Sequence, residues 1–216
     1  MSQPMKTVVI GGHSRNIGKT SVMAGLIHAL KSFNWTAVKI TQYGHGVCSL
    51  DGLPCGCEPE EHPFVLAEEK DPHGRGDTCR FLAAGARRSL WLRVRQGQLA
   101  DAYPSLREAF ENDDFVMIES NSVLGHLKPT LYLMVLDRSE PDFKVSARQF
   151  LGCSDALVPV ESRVDTVAWP GLEWREIQDK PVFPVAASDY FNPQLCRFVS
   201  ESLALPKSEA ILIPGG

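Results

Sequence analysis

Residues 7–21 read TVVIGGHSRNIGKTS, and their order decides the fold. Thr7-Val8-Val9-Ile10 is β-branched and uncharged, as in a strand buried on both faces. Gly11 to Gly18 is a glycine-containing loop, and Lys19-Thr20-Ser21 opens a helix. Strand, loop and helix in that order form a phosphate-binding P-loop. Main-chain N–H groups of the loop and of the helix N-terminus converge on one spot and favour an anion there. Lys19 adds a mobile positive charge for β- and γ-phosphates, and the Thr20 hydroxyl is a hard oxygen ligand suited to Mg²⁺. Gly12, Asn16, Ile17, Gly18, Lys19, Thr20 and Ser21 are therefore the expected nucleotide contacts. The usual spacing puts the first glycine at position 13, where this chain has His13. With Gly12 one residue earlier, the loop is expected to be one residue longer around the same cradle.

Outward from this stretch, the chain alternates. Met23, Leu26, Ile27 and Leu30 recur at helical spacing, giving an amphipathic helix to about Lys31. Trp35 to Ile40 reads as a second strand, which completes a βαβ unit with a parallel crossover. Asp77 to Arg88 reads as a helix with Asp77 as N-cap and Gly85 near its end. Leu90 to Val94 is a strand, and Leu99 to Glu111 a helix interrupted near Pro104. Phe115 to Ile118, Leu131 to Leu136, Ala156 to Val160 and Val182 to Ala187 are further strands. Val145 to Leu151 and Pro193 to Leu203 are helices, and 208–216 a loose strand or tail. Repeated β-then-α alternation gives an α/β, three-layer P-loop NTPase fold, a mostly parallel sheet with helices on both faces. A single domain over 1–216 is expected, with a Cys/His-containing loop insertion at about 41–76. A loop that long inside a compact domain is usually functional or mobile, and its position suits a switch or lid.

Composition narrows the function classes. The chain has 216 residues, 44% hydrophobic and 22% charged, with net charge −4. This balance fits a globular protein and argues against a dedicated nucleic-acid surface. No apolar run of membrane-spanning length and no signal peptide are visible, so a cytoplasmic protein with no membrane partner is expected. Its six cysteines then read as thiols or metal ligands rather than disulfides.

Five further sets of residues can carry chemistry. Glu119 ends an apolar strand, where a P-loop protein needs a Mg²⁺-organising carboxylate. Asp77 opens a helix after the long loop, and either caps it or reaches Mg²⁺. Lys39 ends the second strand on the phosphate side of the sheet, where it either touches phosphate or substrate, or is a solvated lysine. Asp165, in Ser162-Arg163-Val164-Asp165, either pairs with two N–H donors of guanine that adenine lacks or is a turn acid. Cys48, Cys55, Cys57 and Cys79, with His45, His62 and His73, supply enough ligands for Zn²⁺ or an iron–sulfur cluster, or are free thiols. Cys153 and Cys196 read as isolated core residues. Lys19, Glu119 and Asp77 form the expected catalytic set, with Mg²⁺ on Thr20, Glu119 and Asp77.

Three stretches resemble the molybdopterin-guanine dinucleotide biosynthesis adaptor proteins. That family consists of P-loop GTP-binding proteins in the same broad group as dethiobiotin synthetase and the nickel-insertion GTPases. The stretches are Gly11 to Ser21, Val38-Lys39-Ile40-Thr41-Gln42-Tyr43, and Gly76-Asp77-Thr78-Cys79-Arg80 followed by Ala84-Gly85-Ala86. Ser120-Asn121 after Glu119 is closer to the nickel-insertion GTPases. Ser14 stands where chromosome-partitioning ATPases carry a further lysine. The resemblance spans about residues 5–125. It implies nucleotide contacts from Gly18, Lys19, Thr20 and Ser21, and Mg²⁺ or phosphate roles for Asp77 and Glu119.

Three functions follow as expectations. The first is Mg²⁺-dependent binding and slow hydrolysis of GTP or ATP, GTP slightly favoured, assisting a cofactor-biosynthesis enzyme or a metalloenzyme. The second is an ATP-dependent kinase or ligase on a small acid with Lys39 at its centre. The third is a metal-binding chaperone using the cysteine-bearing loop. A homodimer is expected by analogy with the group.

Overall fold

The structure, a computed structural model, describes residues 5–43, 64–161, 169 and 177–204. In chain order these form β1 (Lys6–Gly12), α1 (Lys19–Ala29), β2 (Thr36–Tyr43), β3 (Phe64–Glu69), α2 (Asp77–Ala83), β4 (Arg88–Arg95), α3 (Leu99–Ala109), β5 (Phe115–Glu119), β6 (Leu131–Asp137), α4 (Val145–Leu151), β7 (Ala156–Glu161), β8 (Val185–Ala186) and α5 (Pro193–Ala204). One eight-stranded sheet has the order β3-β4-β2-β5-β1-β6-β7-β8. Every neighbouring pair is parallel except β3 with β4. The expected three-layer α/β fold is therefore present.

Strand alternation builds the layers. Val8 and Ile10 of β1 point into one core with Met23, Ile27, Phe81, Leu195 and Val199. Val9 points into the other, with Leu99, Leu106, Ala147 and Leu151. Helices α1, α2 and α5 thus cover one face, and α3 and α4 the other. β1 lies between β5 and β6, so the loop after β1 opens at the middle of the sheet. Ligands of open α/β sheets bind beyond the strand C-termini at such a point.

Several boundaries differ from the sequence reading. The segment 41–76 is not all loop: Thr41 to Tyr43 continue β2, and Phe64–Glu69 forms an antiparallel edge strand on β4. Its four apolar residues Phe64-Val65-Leu66-Ala67 show no alternation and are flanked by Pro63 and by Glu68-Glu69, so the run is too short to stand out from the loop around it. Lys39 consequently sits inside β2 rather than at its end. α2 stops at Ala83; Gly85 turns the chain at φ 104°, and Arg88 already belongs to β4. α3 runs through Pro104 without a break. Only Val185–Ala186 and a bridge from Val182 to Leu157 form on the last strand, because Pro184 has no N–H to continue a ladder. Cys153 is exposed rather than a core residue. No helix among the described residues is long and apolar enough to cross a membrane.

Candidate functional site

The P-loop leaves β1 at Gly12 and enters α1 through Gly18. Gly18 has φ 89°, a left-handed conformation that glycine adopts without strain. Asn16, at φ 57°, is the other loop residue with left-handed backbone, a role asparagine tolerates. Gly12 is required for a different reason. A Cβ there would lie 2.8 Å from both Ile17 Cδ1 and Lys19 Cδ, so the stem of Lys19 crosses directly over Gly12. Lys19 Nζ donates to the Ser14 carbonyl at 2.5 Å, folded back across the loop. Burial lowers its pKa to about 8, with Lys39 and Lys144 acting in the same direction and Glu119 and Asp77 opposing. A buried cation lacking full compensation favours an incoming anion.

Beside the loop lies a compact cluster of opposite charges. Glu119 pairs in register with Lys39 on the adjacent strand, so both side chains emerge on the α1 face of the sheet. Lys39 Nζ lies 2.5 Å from Glu119 Oε1, 2.9 Å from Asp77 Oδ2 and 3.5 Å from Thr20 Oγ1. The Thr20 hydroxyl donates to Glu119 Oε2 at 2.8 Å. Glu119 is only 3% exposed. Burial alone would lower the Lys39 pKa, but Glu119 and Asp77 outweigh it and hold the pKa raised. Three hard oxygen donors therefore surround one cation, which is the donor chemistry that Mg²⁺ takes. The three residues expected to bind Mg²⁺ are thus brought together. Asp77 is not the N-cap of α2: Gly76 holds that position, and the Asp77 carboxylate turns to Lys39.

A set of contacts fixes the loop from behind. His13 is fully buried. Its Nε2 accepts the Asp137 N–H at 3.0 Å, so Nδ1 carries the proton and donates to the Asp142 carbonyl at 2.8 Å. The ring packs against Phe143 and Trp169. His13 thereby anchors the loop to the segment after β6 instead of lining the cradle. Ser14 Oγ donates to Asp142 Oδ2 at 2.9 Å, and Lys144 N–H donates to the His13 carbonyl at 2.9 Å. Asn121 clasps Gly12 from the β5 side. On the outer side Arg80 Nη2 donates to Ser21 Oγ at 2.9 Å.

Gly12, Asn16, Ile17, Gly18, Lys19, Thr20, Ser21, Lys39, Asp77 and Glu119 thus gather at and beyond the C-termini of β1 and β5, beside the middle of β2. Asp165 and Cys48, Cys55 and Cys57 lie outside the described residues, as do His45, His62 and the 208–216 tail. Cys79 is buried and its thiol donates to Glu69 Oε2 at 3.1 Å. Among the described residues no group of three or more His, Cys, Asp or Glu side chains is arranged to hold a metal. Sequence reasoning missed Asn121, Asp142 and Lys144. Asn121 was within reach, because it follows Glu119 by two residues and so falls opposite Gly12. Asp142 and Lys144 sit in an irregular segment with no motif.

No protein-family description matches the sequence, and no curated protein does. Solved structures do align with the fold. HypB from Helicobacter pylori, solved in complex with nickel, aligns at TM-score 0.47 and 16% identity over 91% of this chain and 86% of that one. LpxK from Aquifex aeolicus, solved with ATP, gives TM-score 0.48 and 15% identity over 84% of this chain and 54% of that one. MobB from Bacillus subtilis gives TM-score 0.36 and 16% identity over 95% of this chain and 100% of that one.

Proposed function

We propose that the chain binds a purine nucleoside triphosphate together with Mg²⁺ and hydrolyses it slowly. One observation carries this reading. Lys19 and the Thr20–Glu119–Asp77 oxygens converge at the mouth of a P-loop that opens from the centre of the sheet. The loop N–H groups and Lys19 hold the β- and γ-phosphates. Thr20, Glu119 and Asp77 hold the metal, which when bound neutralises phosphate charge. Slow turnover fits a site whose two carboxylates are both engaged by a cation, leaving neither free to orient water. Guanine over adenine rests on Asp165 alone. The resemblance to the adaptor family supports assistance to a cofactor-biosynthesis or metal-handling enzyme, and a homodimer.

Calorimetric titration with GTP and with ATP, each with Mg²⁺, tests the reading. Lys19→Ala removes a charge-assisted phosphate contact and should weaken binding about tenfold to a hundredfold. Unchanged affinity in that variant, or no binding by the unmodified protein, would sink the assignment. Strong ATP preference would remove the role given to Asp165 and favour the kinase or ligase chemistry.

A further inference from the structure

Lys39 occupies the point at which the proposed metal ligands meet. Its ammonium touches Glu119 Oε1, Asp77 Oδ2 and Thr20 Oγ1 together, the same oxygens to which the metal is assigned. A divalent cation and an ammonium cannot share that volume, because like charges a few ångströms apart in a buried site repel strongly. Nor can the ammonium simply be discarded. Lys39 is anchored in the middle of β2 and flanked by β4 and β5. Its four-carbon stem keeps the ammonium within reach of Thr20 at the mouth of the P-loop, beside the volume where phosphates would lie.

We propose that Lys39 is a tethered cation that holds the divalent-metal site closed until a polyphosphate arrives. In the nucleotide-free protein the ammonium neutralises Glu119 and Asp77, which spares a buried carboxylate from standing alone. Free metal ion must expel that ammonium with nothing to receive it, so it binds poorly. A nucleotide supplies the missing anion: Lys39 transfers to phosphate oxygens, and Mg²⁺ takes its place on Thr20, Glu119 and Asp77. Metal and nucleotide therefore bind cooperatively, each raising the affinity for the other by the same factor. Asp77 is the solvent-facing half of the cage, being 41% exposed at its side chain against 3% for Glu119. This rests on the nucleotide-binding reading above, but its central claim concerns the metal site without nucleotide.

The test is Mn²⁺ binding followed by electron paramagnetic resonance, on the unmodified chain and on Lys39→Met and Lys39→Gln. The unmodified chain should show weak Mn²⁺ binding alone and at least about tenfold tighter binding with a non-hydrolysable nucleotide triphosphate present. The Lys39 variants should bind Mn²⁺ without nucleotide at least about tenfold more tightly than the unmodified chain. Adding Asp77→Asn to Lys39→Met should abolish the gain, which assigns it to this cage. Circular dichroism reports whether each variant is folded. If neither folds, the unmodified chain still decides: Mn²⁺ bound as tightly without nucleotide as with it overturns the proposal. Folded Lys39 variants with no gain in Mn²⁺ affinity overturn it equally. Failure of the unmodified chain to bind any nucleotide refutes the function instead, and leaves the nucleotide-free comparison of Mn²⁺ affinities interpretable.

Discussion

Asn121 holds Gly12 through both atoms of its side-chain amide. Oδ1 accepts the Gly12 N–H at 2.9 Å, and Nδ2 donates to the Gly12 carbonyl at 2.8 Å. The β1–β5 ladder pairs Ile10 with Glu119, so continuing the register by two would set residue 121 opposite Gly12. The backbone ladder has ended there, and the amide side chain supplies the donor and acceptor that a further peptide group would have supplied. The base of the P-loop is thereby tied to the strand that carries Glu119, which fixes the distance between loop and carboxylate.

Asn121→Ala should therefore cost about 1–3 kcal/mol, since it leaves a buried N–H and C=O without partners. Asn121→Asp should cost at least as much near neutral pH, because an ionised carboxylate cannot donate to the Gly12 carbonyl. Urea unfolding measures both. A variant unaffected in stability would mean that water replaces the clasp.

His13 predicts an acid-sensitive stability. Burial lowers its pKa below 6.5, although hydrogen bonds to the backbone at Asp142 and Asp137 and the Asp137 charge oppose the shift; Lys19 lowers it further. A charged ring would put an N–H against the Asp137 N–H that now donates to Nε2. The unfolded chain takes up a proton at His13 near pH 6.5, while the folded chain resists. Stability should be unaffected by this group above that pH and should fall below it, by at most about 1.4 kcal/mol per pH unit, until the lowered folded pKa is passed. Thermal unfolding of the unmodified chain and His13→Gln from neutral to mildly acid pH checks this. The slope should be shallower in the variant, and equal slopes would refute it.

Much of this site was legible in the chain because its residues sit at strand ends and on a motif. TVVI, FVMIE and LYLMVL are apolar runs whose C-termini must lie together in a parallel sheet, which brings Gly12, Glu119 and Asp137 to one end of the sheet. What stayed hidden depends on register or on irregular chain. Lys39 looked like a strand terminus because Thr41-Gln42-Tyr43 is polar, yet β2 continues through it against Arg93, Val94 and Arg95. The function of His13 needs Asp137 and Asp142, which no short-range pattern links to residue 13. Asp77 reads equally as a cap or as a metal-reaching acid, because both begin a helix alike; Gly76 at the N-cap and the 2.9 Å contact to Lys39 decide against the cap.

Gly18 and Tyr190 make a packing pair with a measurable cost. The Tyr190 ring lies so close that a Cβ on Gly18 would sit 2.3 Å from Tyr190 Cε1. Gly18→Ala combines that clash with a positive φ, and should destabilise by more than about 1 kcal/mol. Tyr190→Ala in the same chain should recover only the steric part, leaving the backbone strain. A double-mutant cycle by chemical denaturation separates the two; full recovery would show that φ at Gly18 relaxes without penalty.

Under the proposed function, the lowered pKa of Lys19 makes nucleotide binding a proton-coupled event. In the free protein Lys19 titrates at about 8, chiefly through burial and then through the neighbouring charges of Lys39 and Lys144. A bound polyphosphate stabilises the ammonium and raises that pKa. Below about pH 7 the lysine is charged in both states, and binding should exchange no proton at Lys19 there. Above pH 8 the free protein has lost the proton and must regain it on binding, so affinity should fall with rising pH by up to about tenfold per unit. Calorimetry in two buffers of different ionisation enthalpy counts the protons directly: uptake should approach one near about pH 9.5. Lys19→Arg should abolish the uptake, because a guanidinium remains charged throughout. Absence of uptake by the unmodified chain at high pH would mean that Lys19 stays on the Ser14 carbonyl and does not meet the phosphate.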